Sequence, residues 1–290
     1  MSDVIFLGNG INRAFNQTSW SSLIESIHKK NNPNLPYNEK STLPMPMQII
    51  VATGDRVDKA MRDIAEGLNF DITDEQKSFL KRILDLPVKD IITANYTFEI
   101  EQAAGVRNSM YCYRKIRQLT KKCSAKDEKF NLFKNYKAES CDKRIWHIHG
   151  DIATPSSIIM GNYYYGKLLR EIQDYLPSFM RRYAYYEKNN IGLTEYSWVD
   201  SFLSKNVYML GFGLDFNESD IWWLICCKKR HFKDTKIYFY QPPKDISDEQ
   251  RALLKAYNVE IIDNLPFDDS YIKFYNCAID DIKIKLKGDN

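Results

Sequence analysis

The chain has 290 residues, of which 44% are hydrophobic and 27% are charged, and its formal net charge is only +3. This length and composition are typical of a globular protein with one substantial core, and they make two unrelated domains the less expected arrangement. The near balance of charge excludes an overall electrostatic attraction to nucleic acid or to an anionic membrane, so partners must be recognised locally.

No targeting or membrane segment is predicted. Met1 leads through one short apolar run into Gly8, without the basic region and long apolar stretch of a signal peptide. No apolar run is long enough to span a bilayer, and the six cysteines lack the two-residue spacing of a metal knuckle. We therefore expect a cytoplasmic protein with reduced thiols, no membrane contact and no metal site.

Short β-branched or apolar runs alternate with helical patterns, which is typical of an α/β fold with a doubly wound, mostly parallel sheet. Six strands are predicted, at residues 4–7, 90–93, 144–148, 207–210, 236–240 and 259–262. We expect one Rossmann-like catalytic domain over residues 1–290. Helical insertions are expected within it at about residues 14–88, 105–143 and 158–205.

The longer helices are predicted from their apolar spacing. Before the second strand they cover residues 20–30, 47–68 and 74–84, with a proline-rich break from Pro33 to Pro46. A later helical stretch, residues 163–188, is rich in tyrosine and is expected to be interrupted by Pro177.

A basic, aromatic segment precedes the third strand. Residues 114–144 contain eleven Lys or Arg against four Asp or Glu, with interleaved aromatic rings. Such a segment can hold nucleic acid, because lysine and arginine neutralise phosphates and rings stack on bases. A solvated surface or a protein-docking surface is the alternative, and it is favoured because charge runs usually face water.

Ligands of open parallel sheets bind beyond the carboxyl ends of the strands, so the residues after each strand are the candidates for a site. The first strand leads into residues 8–13, where Gly8 and Gly10 permit a tight turn that brings backbone N–H groups close to a phosphate. Arg13 can add a charged contact, but it also replaces the third glycine of a dehydrogenase fingerprint. Hydride transfer is therefore disfavoured.

Polar residues also follow the next two strands. Asn95 carries a carboxamide that can hold a ribose hydroxyl or a water, although it or Thr97 can instead cap the helix that follows. His149 lies at the expected mouth of the crevice and precedes Gly150, which leaves room for a ligand, although a lone histidine is often structural.

The fourth strand ends in a second glycine pair. Gly211 and Gly213 allow a close backbone approach, which we expect to be to the adenylate half of a dinucleotide. Asp220, a few residues on, is interpreted as a helix-start residue rather than a ligand.

In order, the motifs Gly-Asn-Gly, Thr-Ala-Asn-Tyr, His-Gly-Asp and Gly-Phe-Gly-Leu-Asp resemble the sirtuin-like superfamily, and within it the bacterial NAD hydrolases of defence and abortive infection. The resemblance extends from Val4 to about Ile262. It implies Asn95 as the ribose-site asparagine and His149 as the catalytic histidine. The NAD-binding residues expected from these motifs and their neighbours are Gly8, Asn9, Gly10, Asn12, Arg13, Thr93, Tyr96, Gly211, Phe212 and Gly213.

Two departures from the sirtuin pattern bear on the reaction. The region of the sirtuin zinc ribbon holds only Cys112, Cys123 and Cys141, without paired spacing, which disfavours acyl-lysine chemistry. Thr97 stands where sirtuins place an aspartate after the asparagine.

The function predicted from the resemblance is hydrolysis of NAD to nicotinamide and ADP-ribose by an anti-phage effector. We expect it to act as a homo-oligomer or with an activating protein partner, with nucleic acid involved only indirectly. Two alternatives stay open. One is a module that senses NAD or ADP-ribose without turnover, and the other is an NAD-dependent protein deacylase.

Overall fold

The structure is a computed structural model that describes residues 3–15, 20–32, 34, 43–54, 57–68, 71–105, 130–138, 142–267 and 271–288. Its centre is one twisted sheet. The strands in chain order are β1 (Asp3–Leu7), β2 (Asp90–Thr93), β3 (Tyr136–Ala138), β4 (Lys143–His147), β5 (Asn206–Leu210), β6 (Ile237–Tyr240) and β7 (Val259–Ile262).

The strands lie in the order β3-β4-β2-β1-β5-β6-β7, and every neighbouring pair is parallel except β3 with β4. The six predicted strands are confirmed within one residue at each end. The six-stranded prediction is nevertheless wrong, because β3 adds a seventh strand at one edge. β3 was missed because it has only three residues, Tyr-Lys-Ala, and so carries no alternating pattern long enough to read.

This strand order contains the switch point of a doubly wound sheet. From β1 the chain moves outward through β2 and β4, and then returns to the other side of β1 with β5, β6 and β7. The chain therefore leaves β1 and β5 toward opposite halves of the sheet, and a crevice at the carboxyl ends of the strands is expected at this switch point.

Helices cover both faces of the sheet. They are α1 (Gly10–Ala14), α2 (Trp20–Asn31), α3 (Met45–Thr53), α4 (Val57–Gly67), α5 (Asp74–Leu84), α6 (Glu99–Ala103), α7 (Phe130–Phe133), α8 (Gly161–Asn189), α9 (Trp198–Ser204), α10 (Ser219–His231), α11 (Asp248–Ala256) and α12 (Tyr271–Gly288).

Alternate residues of the central strands enter two separate cores. Phe6 and Met209 pack on the face covered by α8, α9 and α10, whereas Ile5 and Tyr208 pack on the face covered by α5 and α12. Full burial of a large apolar side chain contributes about 1.5–3 kcal/mol, so these two layers hold the strand register that aligns the loops above them.

A third core lies beside the crevice. Helices α2, α3 and α4 pack on one another and on Tyr96, Ile158 and Met160. This helical lobe belongs to the insertion expected between the first two strands, and it stands next to the loop after β2.

Two helix predictions need correction. Residues 47–68 form two helices rather than one, because α3 ends at Thr53 and is followed by Gly54, whose positive φ of +56° glycine adopts readily. Helix α8 continues through Pro177. Pro177 lies on the exposed side of α8, where water can satisfy the carbonyl that loses its N–H partner.

Within the described residues, no helix combines the length and apolarity needed to cross a lipid bilayer. Most of the basic segment, residues 114–129 and 139–141, lies outside the described residues, so its role stays a prediction, as does the division into one domain with three insertions.

A buried ion cluster closes the end of the sheet opposite to the crevice. Asp90 begins β2 and is fully buried; its carboxylate accepts two hydrogen bonds from Arg144, at 2.6 and 2.7 Å, and one from Lys205 at 2.8 Å. Burial alone raises the pKa of Asp90, but Arg144 and Lys205 outweigh it and hold that pKa well below its ordinary value.

Replacing Asp90 by alanine removes the fully buried one of the two carboxylates that Arg144 and Lys205 share, and leaves both cations with the partly exposed Glu195. We expect Asp90→Ala to lower the free energy of unfolding by about 3–5 kcal/mol, as measured by denaturant titration. The matched control is Asp174→Ala, which removes an exposed pair with Arg170 and should stay within about 0.5 kcal/mol of wild type. Equal effects of the two changes would contradict a supporting role for Asp90.

Candidate functional site

A cavity of about 660 Å³ opens at the carboxyl ends of the strands, between the loops that follow β1, β2, β4 and β5. Ten of the twelve residues predicted for the site line it: Asn9, Gly10, Asn12, Arg13, Asn95, Tyr96, His149, Gly211, Phe212 and Gly213. Gly8 and Thr93 are not among the lining residues. Thr93 supports the site indirectly, because its Oγ1 accepts a hydrogen bond of 3.1 Å from the Asn95 N–H.

The loops after β1 and β5 pack backbone against backbone. The N–H of Gly8 donates to the Leu210 carbonyl at 2.9 Å, and that of Gly10 donates to the Gly211 carbonyl at 2.6 Å. A Cβ on Gly8 would lie 2.5 Å from the Gly211 oxygen, and one on Gly10 would lie 2.7 Å from it. The first glycine pair is therefore required for contact between the two loops.

This contact changes the expected means of phosphate binding. The N–H groups of Gly8 and Gly10 were candidates to meet a phosphate, but both are used within the protein. In the first loop, the side chains of Asn9 and Arg13 line the cavity, and Arg13 brings a positive charge.

Gly150 has a different role from the expected one. Its φ is +85°, and a Cβ there would lie 2.1 Å from the Ser157 carbonyl oxygen. The glycine thus makes room for the following loop of the chain itself rather than for a ligand.

Asn95 is held by a buried carboxylate. Its Nδ2 donates to Glu99 Oε1 at 2.5 Å, and Thr97 Oγ1 donates to the other oxygen of Glu99. Burial raises the pKa of Glu99, while the donors Thr97 and Asn95 act in the opposite direction. Glu99 uses one of the two N–H donors of Nδ2 and so fixes the orientation of the carboxamide. No described residue donates to Oδ1, so Asn95 offers this side-chain oxygen as a hydrogen-bond acceptor.

Asn12 extends this network to the first loop. Its Nδ2 also donates to Glu99 Oε1, at 3.1 Å, and its Oδ1 accepts from Gln76 Nε2 at 3.0 Å. One carboxylate therefore orients two carboxamides of the cavity. Thr97 stands where sirtuins place an aspartate, and here Glu99, two residues later, supplies a carboxylate beside the asparagine.

His149 is held from the other side of the cavity. Its Nε2 lies 2.9 Å from Asp220 Oδ2 and 3.9 Å from Glu218 Oε2, and its ring packs edge-on against Tyr165 at 5.3 Å between centroids. Because a carboxylate lies at Nε2, that nitrogen carries the proton and donates a hydrogen bond to Asp220. Nδ1, which no described residue contacts by a hydrogen bond, is then the nitrogen that can accept a proton.

The two carboxylates change the proton affinity of this group. Burial disfavours the charged imidazolium, but attraction and hydrogen bonding to Asp220, together with Glu218, outweigh it and raise the pKa of His149. Burial also raises the pKa of Glu218 to about 7, with His149 opposing the shift and Asp220 adding to it.

Sequence reasoning missed several residues of this cavity. Asp220 does lie in the first turn of α10, as interpreted, but its contact with His149 was not foreseen because the two are 71 positions apart. Nothing in the sequence signalled Glu218 or Tyr165. The α2–α4 lobe and its ends contribute a further wall, which is formed by Ser21, Leu23, Met45 and Leu68.

Among the described residues, His149, Glu218 and Asp220 are the one group whose ligand atoms lie close enough together, within 4.8 Å, to share a metal ion. The hydrogen bond to Asp220 gives Nε2 of His149 a partner without an ion. The expectation that the protein has no metal site stays a prediction.

His147 takes no part in lining the cavity and instead supports the Asn95 loop. Its Nδ1 lies 2.8 Å from the Asn95 carbonyl oxygen and its Nε2 lies 2.9 Å from Glu101 Oε1. Both nitrogens face acceptors, so the ring is an imidazolium. Burial opposes this charge, but Glu101 outweighs burial and raises the pKa of His147 to about 9.

The raised pKa of His147 predicts a pH-dependent stability. The stabilisation that protonated His147 gives to the folded state is complete below about pH 6.5, the pKa of histidine in the unfolded chain. It is lost as the pH rises to about 9. Over that window the free energy of unfolding of wild type should fall, relative to His147→Gln, by up to about 1.4 kcal/mol per pH unit. Denaturant titrations at several pH values test this, and parallel curves for the two proteins would contradict it.

No curated protein matches the chain. A family model described as the SIR2-like domain matches residues 89–262, which is more than half of the chain. The match begins just before β2, so it includes Asn95, His149 and Asp220 but not the loop after β1. Proteins of this family use NAD, and the chain belongs to the SIR2-like domain family.

Proposed function

We propose that this protein hydrolyses NAD at the nicotinamide–ribose bond and releases nicotinamide and ADP-ribose. The observation that supports this most is that Asn95 and His149 line one cavity together with the loops after β1 and β5, in a member of a family that uses NAD. The cavity volume of about 660 Å³ falls within the range of roughly 300–1,000 Å³ that is usual for ligand pockets.

The diphosphate of NAD is proposed to lie at the first loop. Arg13 would supply the positive charge and Asn9 a neutral donor, since the amides of Gly8 and Gly10 are already used. The adenosine would lie toward residues 211–213, where a Cβ added to Gly213 would meet no atom within 4 Å.

The nicotinamide ribose is proposed to lie between Asn95 and His149. Because Glu99 holds Nδ2 of Asn95, the carboxamide oxygen would accept a hydrogen bond from a ribose hydroxyl or from the attacking water. A buried, pre-oriented acceptor of this kind costs little reorganisation when the substrate reacts.

Cleavage of this bond needs little acid assistance, because nicotinamide leaves as a neutral molecule and takes the bonding electron pair to its ring nitrogen. The ribose acquires positive charge at C1′, and a water oxygen forms the new bond there. His149 would accept the water proton at Nδ1 while Asp220 holds the Nε2 proton. Such general-base help is worth about 10²–10⁴-fold in rate.

The biological role proposed with this activity is that of an anti-phage effector in the cytoplasm, as the resemblance to bacterial abortive-infection NAD hydrolases suggests. Depletion of NAD would be its effect. A homo-oligomer or an activating protein partner is proposed to control it.

The first test is the rate of nicotinamide release by purified protein, with any activating partner present. His149→Ala should reduce this rate by about 10²–10⁴-fold. Because it leaves the buried Asp220 carboxylate without its partner, the melting temperature should also fall, so circular dichroism and NAD binding must show that the variant is folded at the assay temperature. The matched control is His231→Ala at the exposed end of α10, which should keep the wild-type rate. Nicotinamide release by His149→Ala at the wild-type rate would contradict the proposal.

The same assay separates the other functions. NAD or ADP-ribose binding without turnover under every condition would indicate a sensing module. Release of nicotinamide only when an acyl-peptide is added would indicate a deacylase. Chromatography of the nucleotide product should show ADP-ribose in equal amount to nicotinamide.

The contact of Asp220 with His149 predicts how the rate depends on pH. His149 can accept a proton only when Nδ1 is unprotonated, so kcat/KM should rise with pH and its midpoint should lie above about 6.5, the ordinary histidine value. Asp220→Asn removes the carboxylate that raises the pKa of His149, so the midpoint should move to lower pH. An unchanged midpoint with a lower plateau would mean that Asp220 serves only the fold.

A further inference from the structure

Glu218 brings a second carboxylate to the cavity beside His149. It lies directly before α10 and lines the cavity, with its Oε2 3.9 Å from His149 Nε2. The Tyr165 hydroxyl donates to the same oxygen at 3.4 Å. The Glu218 side chain is 20% exposed whereas Asp220 is fully buried, so Glu218 is the carboxylate of this pair that a ligand in the cavity can touch.

The charge of this cluster is not balanced by the described residues. Asp220 Oδ1 is fully buried and has no hydrogen-bond partner among them. Glu218 and Asp220 form ion pairs there only with His149, and Asp215 also lines the cavity. At a pH well above the Glu218 pKa of about 7, where both carboxylates are ionised, two carboxylates against one imidazole leave an excess of negative charge in a partly enclosed, low-dielectric space, where a cation is favoured.

We propose that Glu218 is a further catalytic residue, whose carboxylate contacts the nicotinamide ribose and stabilises the positive charge that develops at C1′. This inference rests on the proposed NAD hydrolysis. It assigns a task that neither Asn95 nor His149 can perform, since the first is neutral and the second is the proton acceptor.

The timing of the charge explains why Glu218 would act on the rate rather than on binding. In bound NAD the positive charge resides on the pyridinium ring. As the C1′–N bond breaks, its electron pair neutralises that ring, and the charge moves to the sugar beside Glu218. Water then bonds to C1′ and gives its proton to His149, and Glu218 ends unchanged. An interaction that strengthens only in the transition state raises kcat.

The test is Glu218→Gln, which keeps the shape of the side chain and removes its charge. We expect kcat for nicotinamide release to fall by about 10²–10³-fold, with KM and the melting temperature close to wild type. The matched control is Glu249→Gln, an exposed glutamate in the first turn of α11, which should leave kcat unchanged. An unchanged kcat for Glu218→Gln, or a raised KM alone, would overturn the proposal.

A binding measurement tests the same point without turnover. The probe is an ADP-ribose analogue in which a protonated amine replaces the ring oxygen of the terminal ribose, so that it carries the charge of the transition state. Wild type should bind it at least about tenfold more tightly than Glu218→Gln does, the size of a charge-assisted contact, while both bind ADP-ribose equally. Equal affinity of the two proteins for the cationic analogue would overturn the proposal.

These outcomes separate the inference from the proposed function. If the proposed NAD hydrolysis is wrong, wild-type protein with its partner releases no nicotinamide. If only the role of Glu218 is wrong, wild type releases nicotinamide and Glu218→Gln releases it equally fast.

A metal ion bound by this cluster would also overturn the proposed role of Glu218. The signature would be a rise in melting temperature with Mn²⁺ or Zn²⁺ that Glu218→Gln and His149→Ala both lose, together with loss of nicotinamide release in EDTA.

Discussion

The contact between the loops after β1 and β5 is the constraint on which the rest of the site depends. These loops meet at the switch point of the sheet, and their backbones approach so closely that Gly8 and Gly10 have no room for a Cβ against Gly211. The contact fixes the floor of the cavity. It also uses the amides that a phosphate would otherwise meet, so the chemistry must come from side chains on the loops around that floor.

Two separate polar networks then orient those side chains from opposite sides. Glu99 holds the carboxamides of Asn95 and Asn12, so this side presents fixed, neutral hydrogen-bonding groups. Asp220 holds His149 and leaves Nδ1 available, with Glu218 beside it, so this side handles protons and charge. Both networks are anchored by helices that start after a strand, and the sheet register sets the spacing between them.

The sequence predicted the parts of this arrangement that have a local signature. The six parallel strands were readable because they are short, largely apolar runs, buried in all but the edge strand β7. Asn95 and His149 were readable because they follow buried runs. Three features could not be read from the sequence, because they join residues far apart in the chain. They are the cavity wall formed by α2–α4, the pairing of Asp220 with His149 and the position of Glu218 in the cavity. The edge strand β3 was too short to read. The roles of Gly8 and Gly150 were misjudged because a glycine can make room for the protein as well as for a ligand.

The central claim is that one dinucleotide occupies the cavity with its reactive sugar between Asn95 and the His149 cluster. The crystal structure of the His149→Ala protein with NAD tests it most directly, because the substrate should persist in that variant. We expect the nicotinamide ribose to contact Asn95 Oδ1 and to face Glu218, with the diphosphate near Arg13. NAD bound elsewhere, or bound with its adenosine in place of that ribose, would contradict the claim.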